Sequence, residues 1–189
     1  DVLATLKDDT LLDELELPKG SMQLIDDAKL QQINTKFSQM KTHLATGGSA
    51  GNAILGLACL GAGTGFIGKD HYGDFFRKNL QKNNIEDNLL TSEQLPSGVA
   101  STFISQDGER TFGTYLGAAA SLKAEDLTLE MFKGYAYLFI EGYLVQDHEM
   151  ILHAIELAKE AGLQICLDMA SYNIVENDLE FFSLLINKY

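Results

Sequence analysis

The chain has 189 residues, 46% of them hydrophobic and 22% charged, a composition typical of a globular α/β domain that can bury one substantial core. Its formal net charge is −13, and its 14 Lys and Arg residues are scattered, without the cationic clusters that bind nucleic acid or anionic membranes. We therefore expect no nucleic acid and no membrane as partners, and a cytoplasmic location.

Alternating strands and helices are predicted for the first part of the chain. In order, these are a strand at 2–6, a turn at 17–20, a helix from 25 to 40, a strand at 42–45, a helix at about 50–60, a strand at 64–68 and a helix after 73. Apolar residues recur at helical spacing in the first helix, at Leu30, Ile33, Phe37 and Met40. Asp70 is a candidate cap for the last helix. This alternation favours parallel strands with helices packed on their faces.

The middle of the chain predicts a β-hairpin. Strands at 99–105 and 110–115 flank a turn that contains Asp107-Gly108, a strong hairpin signal. A hairpin inserted between βα units lies outside the main layer, as an edge extension or a flap. Alternation then resumes with a helix near 124–132, a strand at 136–140, a helix at 147–161, a strand at 163–168 and a helix at 179–186. The sequence thus predicts an α/β sandwich with an excursion of antiparallel strands.

Both cysteines, Cys59 and Cys166, lie in apolar runs, which predicts buried free thiols and no disulfide framework. The uncharged stretch 44–68 is rich in glycine and would break as a helix before crossing a bilayer. The chain begins within a predicted strand and stops after an amphipathic segment. We therefore expect it to be part of a longer protein.

The glycine loop at 46–53 is the leading candidate for a binding site. Paired glycines let a backbone approach a ligand closely, and the following helix would point its first N–H groups at that ligand. Asn52 would lie in the first turn and offer both a donor and an acceptor to a polyhydroxyl compound. An equally weighted alternative is a tight turn whose glycines only allow close helix–sheet packing.

Other motifs give weaker signals. The segment 63–68 matches G-x-G-x-x-G, but it follows a predicted helix and contains a strand, which is the wrong context for a dinucleotide site. The sequence has no phosphate-binding loop of the G-x-x-x-x-G-K-[ST] type and no H-E-x-x-H or C-x-x-C pattern. Asp168 ends an apolar strand, and ligands gather at the carboxyl ends of strands in parallel sheets. The alternative is that Asp168 is a cap or turn residue. Tyr143 follows another strand and offers an aromatic face.

Three segments together resemble the PfkB (ribokinase-like) family of sugar and nucleoside kinases. They are Gly-Gly-Ser-Ala-Gly-Asn-Ala at 47–53, Ile-Gly-Lys-Asp-His-Tyr-Gly at 67–73 and Gly-Glu-Arg-Thr-Phe at 108–112. Further segments at 19–23, 114–118 and 141–144 are most similar to the adenosine-kinase-like bacterial branch. The resemblance covers essentially the whole chain in order.

This resemblance implies a ribokinase-like α/β/α sandwich with a mostly parallel central sheet and a small β-sheet lid, incomplete at both ends. Residues 1–189 would be the N-terminal acceptor-binding part, with lid segments near 1–23, 41–46 and 97–117. The implied activity is that of an ATP-dependent phosphotransferase acting on a hydroxyl of a sugar or nucleoside, of the ribokinase, adenosine kinase or fructokinase type. Lid strands often pair between subunits in this family, so a homodimer through the lid is also implied.

The resemblance also assigns roles by position. Asp1, Gly47, Gly48 and Asn52 match residues that hold the acceptor hydroxyls. Gln23 and Tyr143 fall where adenosine kinases have residues around the base, and Thr102 falls on the lid face. Asp168 is a candidate for the region near the phosphate or metal.

The family's Gly-Ala-Gly-Asp motif, which contains the catalytic aspartate, does not occur in the chain. By position, the family's Asn-x-x-Glu motif, which organises magnesium, would fall just beyond the last residue. We therefore expect the general base, ATP and Mg2+ to belong mainly to an absent C-terminal half, and the resemblance allows for a monovalent cation as well. These residues alone are predicted to be inactive. The alternative is a non-catalytic module that binds a sugar or nucleoside as a sensor.

Overall fold

A computed structural model describes residues 1–48, 52, 62–170 and 172–189, with the backbone alone for 62–66 and 173. These residues form two compact units, unit 1 at Asp1–Ser121 and unit 2 at Leu122–Tyr189. The predicted helix at 50–60 and Cys59 lie outside the described residues, apart from Asn52. No described helix is long and apolar enough to cross a bilayer.

Unit 1 contains a five-stranded sheet built from segments far apart in the chain. Its strands are β1 (Val2–Thr5), β2 (Met22–Leu24), β3 (Thr42–Leu44), β6 (Val99–Ile104) and β7 (Arg110–Tyr115), in the order β2-β7-β6-β1-β3. The predicted hairpin is confirmed as β6 and β7, which pair antiparallel around Gly108 at a φ of 85°. β1 pairs parallel with β6 and antiparallel with β3, and β2 pairs parallel with β7.

Helices pack on one face of this sheet. They are α1 (Thr10–Glu14) and α2 (Asp27–Phe37), and the second confirms the predicted apolar spacing, although Met40 lies beyond its end. Ile33 and Phe37 are buried against Phe103 of β6, with the two phenyl rings 5.0 Å apart. Because side chains alternate along a strand, the residues between these core positions face the other side of the sheet. That second face carries Leu3, Thr102 and Phe112, which are in register across β1, β6 and β7.

The rest of unit 1 is a βαβ element. β4 (Ala62–Gly68) and β5 (Glu86–Ser92) pair in parallel, and α3 (His71–Lys82) connects them. The G-x-G-x-x-G letters therefore lie inside β4, a strand, and do not form a turn that opens a helix. Asp70 caps α3 as predicted, accepting hydrogen bonds from the amides of Tyr72 and Gly73. The strand β5 has no counterpart among the predicted elements, because Glu86–Ser92 is polar and lacks a clear alternation.

Unit 2 contains a second parallel pair. β8 (Tyr137–Glu141) and β9 (Gln164–Asp168) are connected by α4 (His148–Glu160) and followed by α5 (Tyr172–Asn177) and α6 (Leu179–Lys188). Buried side chains of α4 and α6 pack on these strands, among them Ile151, Ile155 and Phe182.

Two predictions for unit 2 are wrong. The expected helix at 124–132 is two short 3-10 helices, Ala124–Asp126 and Leu129–Phe132, because Asp126 accepts from the Lys123 amide at 2.9 Å and closes a single turn before an extended Leu127 and Thr128. Cys166 is exposed, not buried. The alternation of β9 brings its neighbours Ile165 and Leu167 to the core and therefore turns Cys166 to the opposite face.

The Asp70 cap predicts a pH dependence of stability. Partial burial alone would raise the Asp70 pKa, but hydrogen bonds from Gly73, Ser97 and Tyr72 outweigh it and hold this pKa below its ordinary value. In the unfolded chain, the pKa of an aspartate is about 3.9. Because the pKa of Asp70 is lower in the folded protein, its ionised carboxylate stabilises the fold above about pH 3.9, and this stabilisation is lost as the pH falls through the folded-state pKa. In urea unfolding from about pH 5 to about pH 2, Asp70→Asn should lose less stability than the wild type. Equal losses in the two proteins would contradict this assignment.

Candidate functional site

Asp1 lies where β1 and β3 pair. Its backbone nitrogen donates to the Ala45 carbonyl at 2.8 Å, and the Ala45 amide donates back to the Asp1 carbonyl at 3.0 Å. This reciprocal pair continues the antiparallel ladder one residue beyond Val2 and Leu44. By alternation, the Asp1 side chain belongs to the same face of the sheet as Leu3, the face opposite α1 and α2.

The Asp1 carboxylate lies directly over the backbone of Gly47. A Cβ built on Gly47 would overlap Asp1 Oδ1, Oδ2 and Cγ. Any other residue at position 47 therefore has to displace the carboxylate. The two residues, 46 positions apart in the chain, are brought together by the β1–β3 pairing, and glycine at 47 is what lets the carboxylate occupy this place.

Gly48 and Asn52 form the next part of the site. Gly48 adopts a φ of 83°, and a Cβ there would meet none of the described residues within 4 Å, so these residues leave space beside its backbone. The Asn52 amide donates to the Gly48 carbonyl at 2.9 Å, the i to i−4 bond of a first helical turn. Asn52 is exposed. The segment that leaves β3 thus carries Gly47 beneath the Asp1 carboxylate, then Gly48, then the exposed Asn52.

Thr102 belongs to the same sheet face as Asp1. It pairs in register with Leu3 on one side and Phe112 on the other. The residue is only 2% exposed, and its hydroxyl has no hydrogen-bond partner within the described parts of the chain. Because buried hydroxyls are normally satisfied, a ligand hydroxyl or a water is the natural partner for this one.

The structure separates Gln23 from these residues. Gln23 is in register with Gly113, whose neighbours are Ile25 and Ile33 on the face that carries α2. The residue on the Asp1 face of β2 is Met22, in register with Phe112. Sequence reasoning missed Met22 and Phe112, because only the register between β2 and β7 reveals which residue of each strand shares a face with Asp1.

Unit 2 holds the other two predicted site residues. Glu141 and Asp168 are in register at the carboxyl ends of β8 and β9, and a Cβ on Gly142 would overlap the Asp168 carbonyl. The Asp168 carboxylate accepts from the Ala170 amide at 3.1 Å, so the turn role considered for it is present. Tyr143 is exposed in the 3-10 helix Gly142–Gln146.

A magnesium centre is not formed by the residues that the structure describes. Among them, no group of three or more His, Cys, Asp and Glu side chains is placed to hold a metal ion. At the ends of β8 and β9, Glu141 and Asp168 bring two acidic residues into register, fewer than the three ligands of such a group.

The sequence of the chain is similar to those of several known proteins. A family model described as pfkB family carbohydrate kinase matches residues 20–179. The chain is 31% identical over 134 residues to Fructokinase-1 of Zea mays, covering 66% of this chain and 41% of that protein. It is 25% identical over 186 residues to the guanosine-inosine kinase of Escherichia coli K12, covering 90% of this chain and 43% of that protein. The chain thus spans about two fifths of the length of these curated relatives.

Solved structures show the same fold. The adenosine kinase of Sinorhizobium meliloti matches with a TM-score of 0.77 and 28% identity, over 97% of this chain and 58% of that one. A probable sugar kinase protein from Rhizobium etli CFN 42 matches with a TM-score of 0.81 and 27% identity, over 97% and 57% of the two chains. The fold class predicted from the sequence is confirmed by these likenesses.

The two glycines of the site should respond differently to alanine. Gly47→Ala overlaps only the end of the Asp1 side chain, which can rotate away, so the free energy of unfolding should change by less than about 1 kcal/mol. In Gly48→Ala, the new Cβ meets none of the described residues, but position 48 has a positive φ, which costs an alanine about 1–2 kcal/mol. Urea denaturation of both variants tests the difference. A larger loss for Gly47→Ala than for Gly48→Ala would mean that the carboxylate is rigidly held.

Proposed function

Because the chain belongs to the pfkB family of carbohydrate kinases, we propose that the protein containing it transfers the γ-phosphoryl group of ATP to a hydroxyl of a sugar or nucleoside. In this proposal, unit 1 supplies the acceptor site. The observation that carries the assignment is the Asp1 carboxylate seated over Gly47, next to the first helical turn at Asn52.

Hydrogen-bond chemistry supports a polyhydroxyl acceptor. An ionised carboxylate only accepts hydrogen bonds, and its two oxygens suit a pair of neighbouring hydroxyl donors. The amide of Asn52 both donates and accepts, so it can bind a hydroxyl in either sense. The described residues leave room for a ligand beside Gly48, and Thr102 offers a hydroxyl that has no partner among them.

Phosphoryl transfer depends mainly on positioning and on stabilising charge. Holding two hydroxyls of the acceptor at Asp1 and Asn52 fixes where a third hydroxyl points, which is the contribution we assign to this chain. The general base and the residues that bind ATP and Mg2+ are expected from the part of the protein beyond these residues. ATP supplies the phosphoryl group; the described side chains orient its acceptor.

The five-stranded sheet is proposed as the lid over this acceptor. One of its faces is covered by α1 and α2, and the other carries Asp1 and Thr102. Its edge strands β2 and β3 expose Met22, Leu24 and Leu44. Exposed apolar edge strands invite pairing with another strand, which supports the proposed homodimer through the lid.

Replacing Asp1 tests the acceptor site in the full-length protein. Asp1→Asn keeps the shape but removes the charge, and a charge-assisted hydrogen bond is worth about 1.5–3 kcal/mol, so acceptor affinity should fall about 10-fold to 150-fold. Gly47→Ala should weaken binding in the same way by displacing the carboxylate. The matched control is Asp8→Asn, which removes an exposed carboxylate bonded to the Thr10 amide. Unchanged affinity in both site variants would exclude the assignment.

The activity itself is tested by ADP release from full-length protein with ATP and magnesium, across ribose, fructose, other hexoses, adenosine and inosine. Turnover is expected on at least one of these acceptors and would decide between sugar and nucleoside. Calorimetric binding of a compound from the panel without any ADP release would instead support the non-catalytic sensor.

A further inference from the structure

Two segments connect the β6–β7 hairpin to the rest of unit 1, and their backbones touch. Residues 95–98 precede β6, and residues 116–118 follow β7. The Ala118 amide donates to the Pro96 carbonyl at 2.8 Å. A Cβ on Gly98 would lie 2.7 Å from the Leu116 carbonyl oxygen, and one on Gly117 would overlap the Pro96 oxygen. The segments are therefore closer together than side chains at 98 and 117 would permit.

Asp70 bonds the first of these segments to the beginning of α3. Its Oδ2 accepts from the Ser97 amide at 2.7 Å, and its Oδ1 accepts from the Ser97 hydroxyl at 2.8 Å. The same Oδ1 accepts the amides of Tyr72 at 3.0 Å and Gly73 at 2.9 Å. One carboxylate thus caps a helix and holds a segment 27 residues away in the sequence.

Ser97 also bonds to the end of β4. It is only 5% exposed, and its hydroxyl accepts the Gly68 amide at 2.9 Å. A Cβ on Gly68 would overlap the Ser97 backbone, and one on Gly73 would overlap the Gly68 carbonyl oxygen. The end of β4, the beginning of α3 and the segment leading into β6 are therefore fixed to one another by backbone contacts and a single carboxylate.

Regular strand pairing connects this contact to the acceptor site. Ser101, four residues after Ser97, is in register with Val2 of β1, and Val2 directly follows Asp1. Asn52 lies in the segment that leads into β4. Ser97 therefore connects the end of β4 to β6, the strand that pairs with β1 directly after Asp1.

We propose that Asp70 is a positioning residue for acceptor binding, which holds the Asp1-bearing sheet in place through Ser97. The proposal rests on the acceptor site assigned above. Asp70 touches no acceptor atom in this role. Its loss should displace Asp1 relative to Asn52 and weaken acceptor binding more than it slows turnover at saturation.

The test separates capping from positioning. Asp70→Ser keeps an oxygen that can cap α3 but lacks the second carboxylate oxygen that reaches the Ser97 amide. The matched control is Asp26→Ser, because Asp26 caps α2 through the Lys29 amide within its own helix. In full-length protein, Asp70→Ser should raise the KM for the acceptor about tenfold or more, with a smaller change in kcat. Asp26→Ser should leave that KM within about twofold of the wild type.

Hydrogen exchange provides a readout that needs no activity. The amides of β1 and β6 should exchange faster in Asp70→Ser than in Asp26→Ser at matched global stability. If the wild type turns over, equal KM values in the two variants would overturn the proposal. A wild type inactive on every acceptor would refute the proposed function instead. The exchange result would then decide alone, since equal exchange in both variants overturns the positioning role and faster exchange in Asp70→Ser supports it.

Discussion

The absence of a side chain at residue 47 is the constraint on which the candidate site depends. The Asp1 carboxylate occupies the volume that a Cβ at this position would need, so a charged group can lie against the backbone at the end of β3. The reciprocal hydrogen bonds between Asp1 and Ala45 hold the Asp1 backbone at the end of β3, and Gly47 leaves the space that its carboxylate occupies. The carboxylate thus lies beside Gly47, and Gly48 accepts the backbone bond from Asn52 next in the chain.

The two faces of the five-stranded sheet have different roles. Alternation along β1 and β6 directs Ala4 and Phe103 toward α1 and α2, while Leu3 and Thr102 belong to the other face. Burial of the first face supplies the hydrophobic free energy that keeps the sheet together, and the second face is left for Asp1 and the buried hydroxyl of Thr102. Close backbone packing at Gly68, Gly98 and Gly117 then joins this sheet to the βαβ element.

Local signals in the sequence were sufficient for much of the fold. The Asp107-Gly108 turn, the apolar spacing of α2 and the Asp70 cap each act over a few residues, so each could be predicted without tertiary information. Prediction failed for two different reasons. The polar strand β5 forms because β4 offers it a parallel partner, which is a tertiary effect. The expected helix at 124–132 stops after one turn because of a local bond from the Lys123 amide to Asp126.

The sequence by itself determined the family motifs, the alternation of strands and helices and the candidate residues Asp1, Gly47, Gly48 and Asn52, because these are properties of short segments. Only the tertiary structure decided which of them meet. Asp1 reaches Gly47 through the β1–β3 pairing, and Asp70 reaches Ser97 across 27 residues. Likewise, strand register placed Thr102 on the Asp1 face and Gln23 on the other, since a shift of one residue reverses every side chain and a single sequence does not encode register locally.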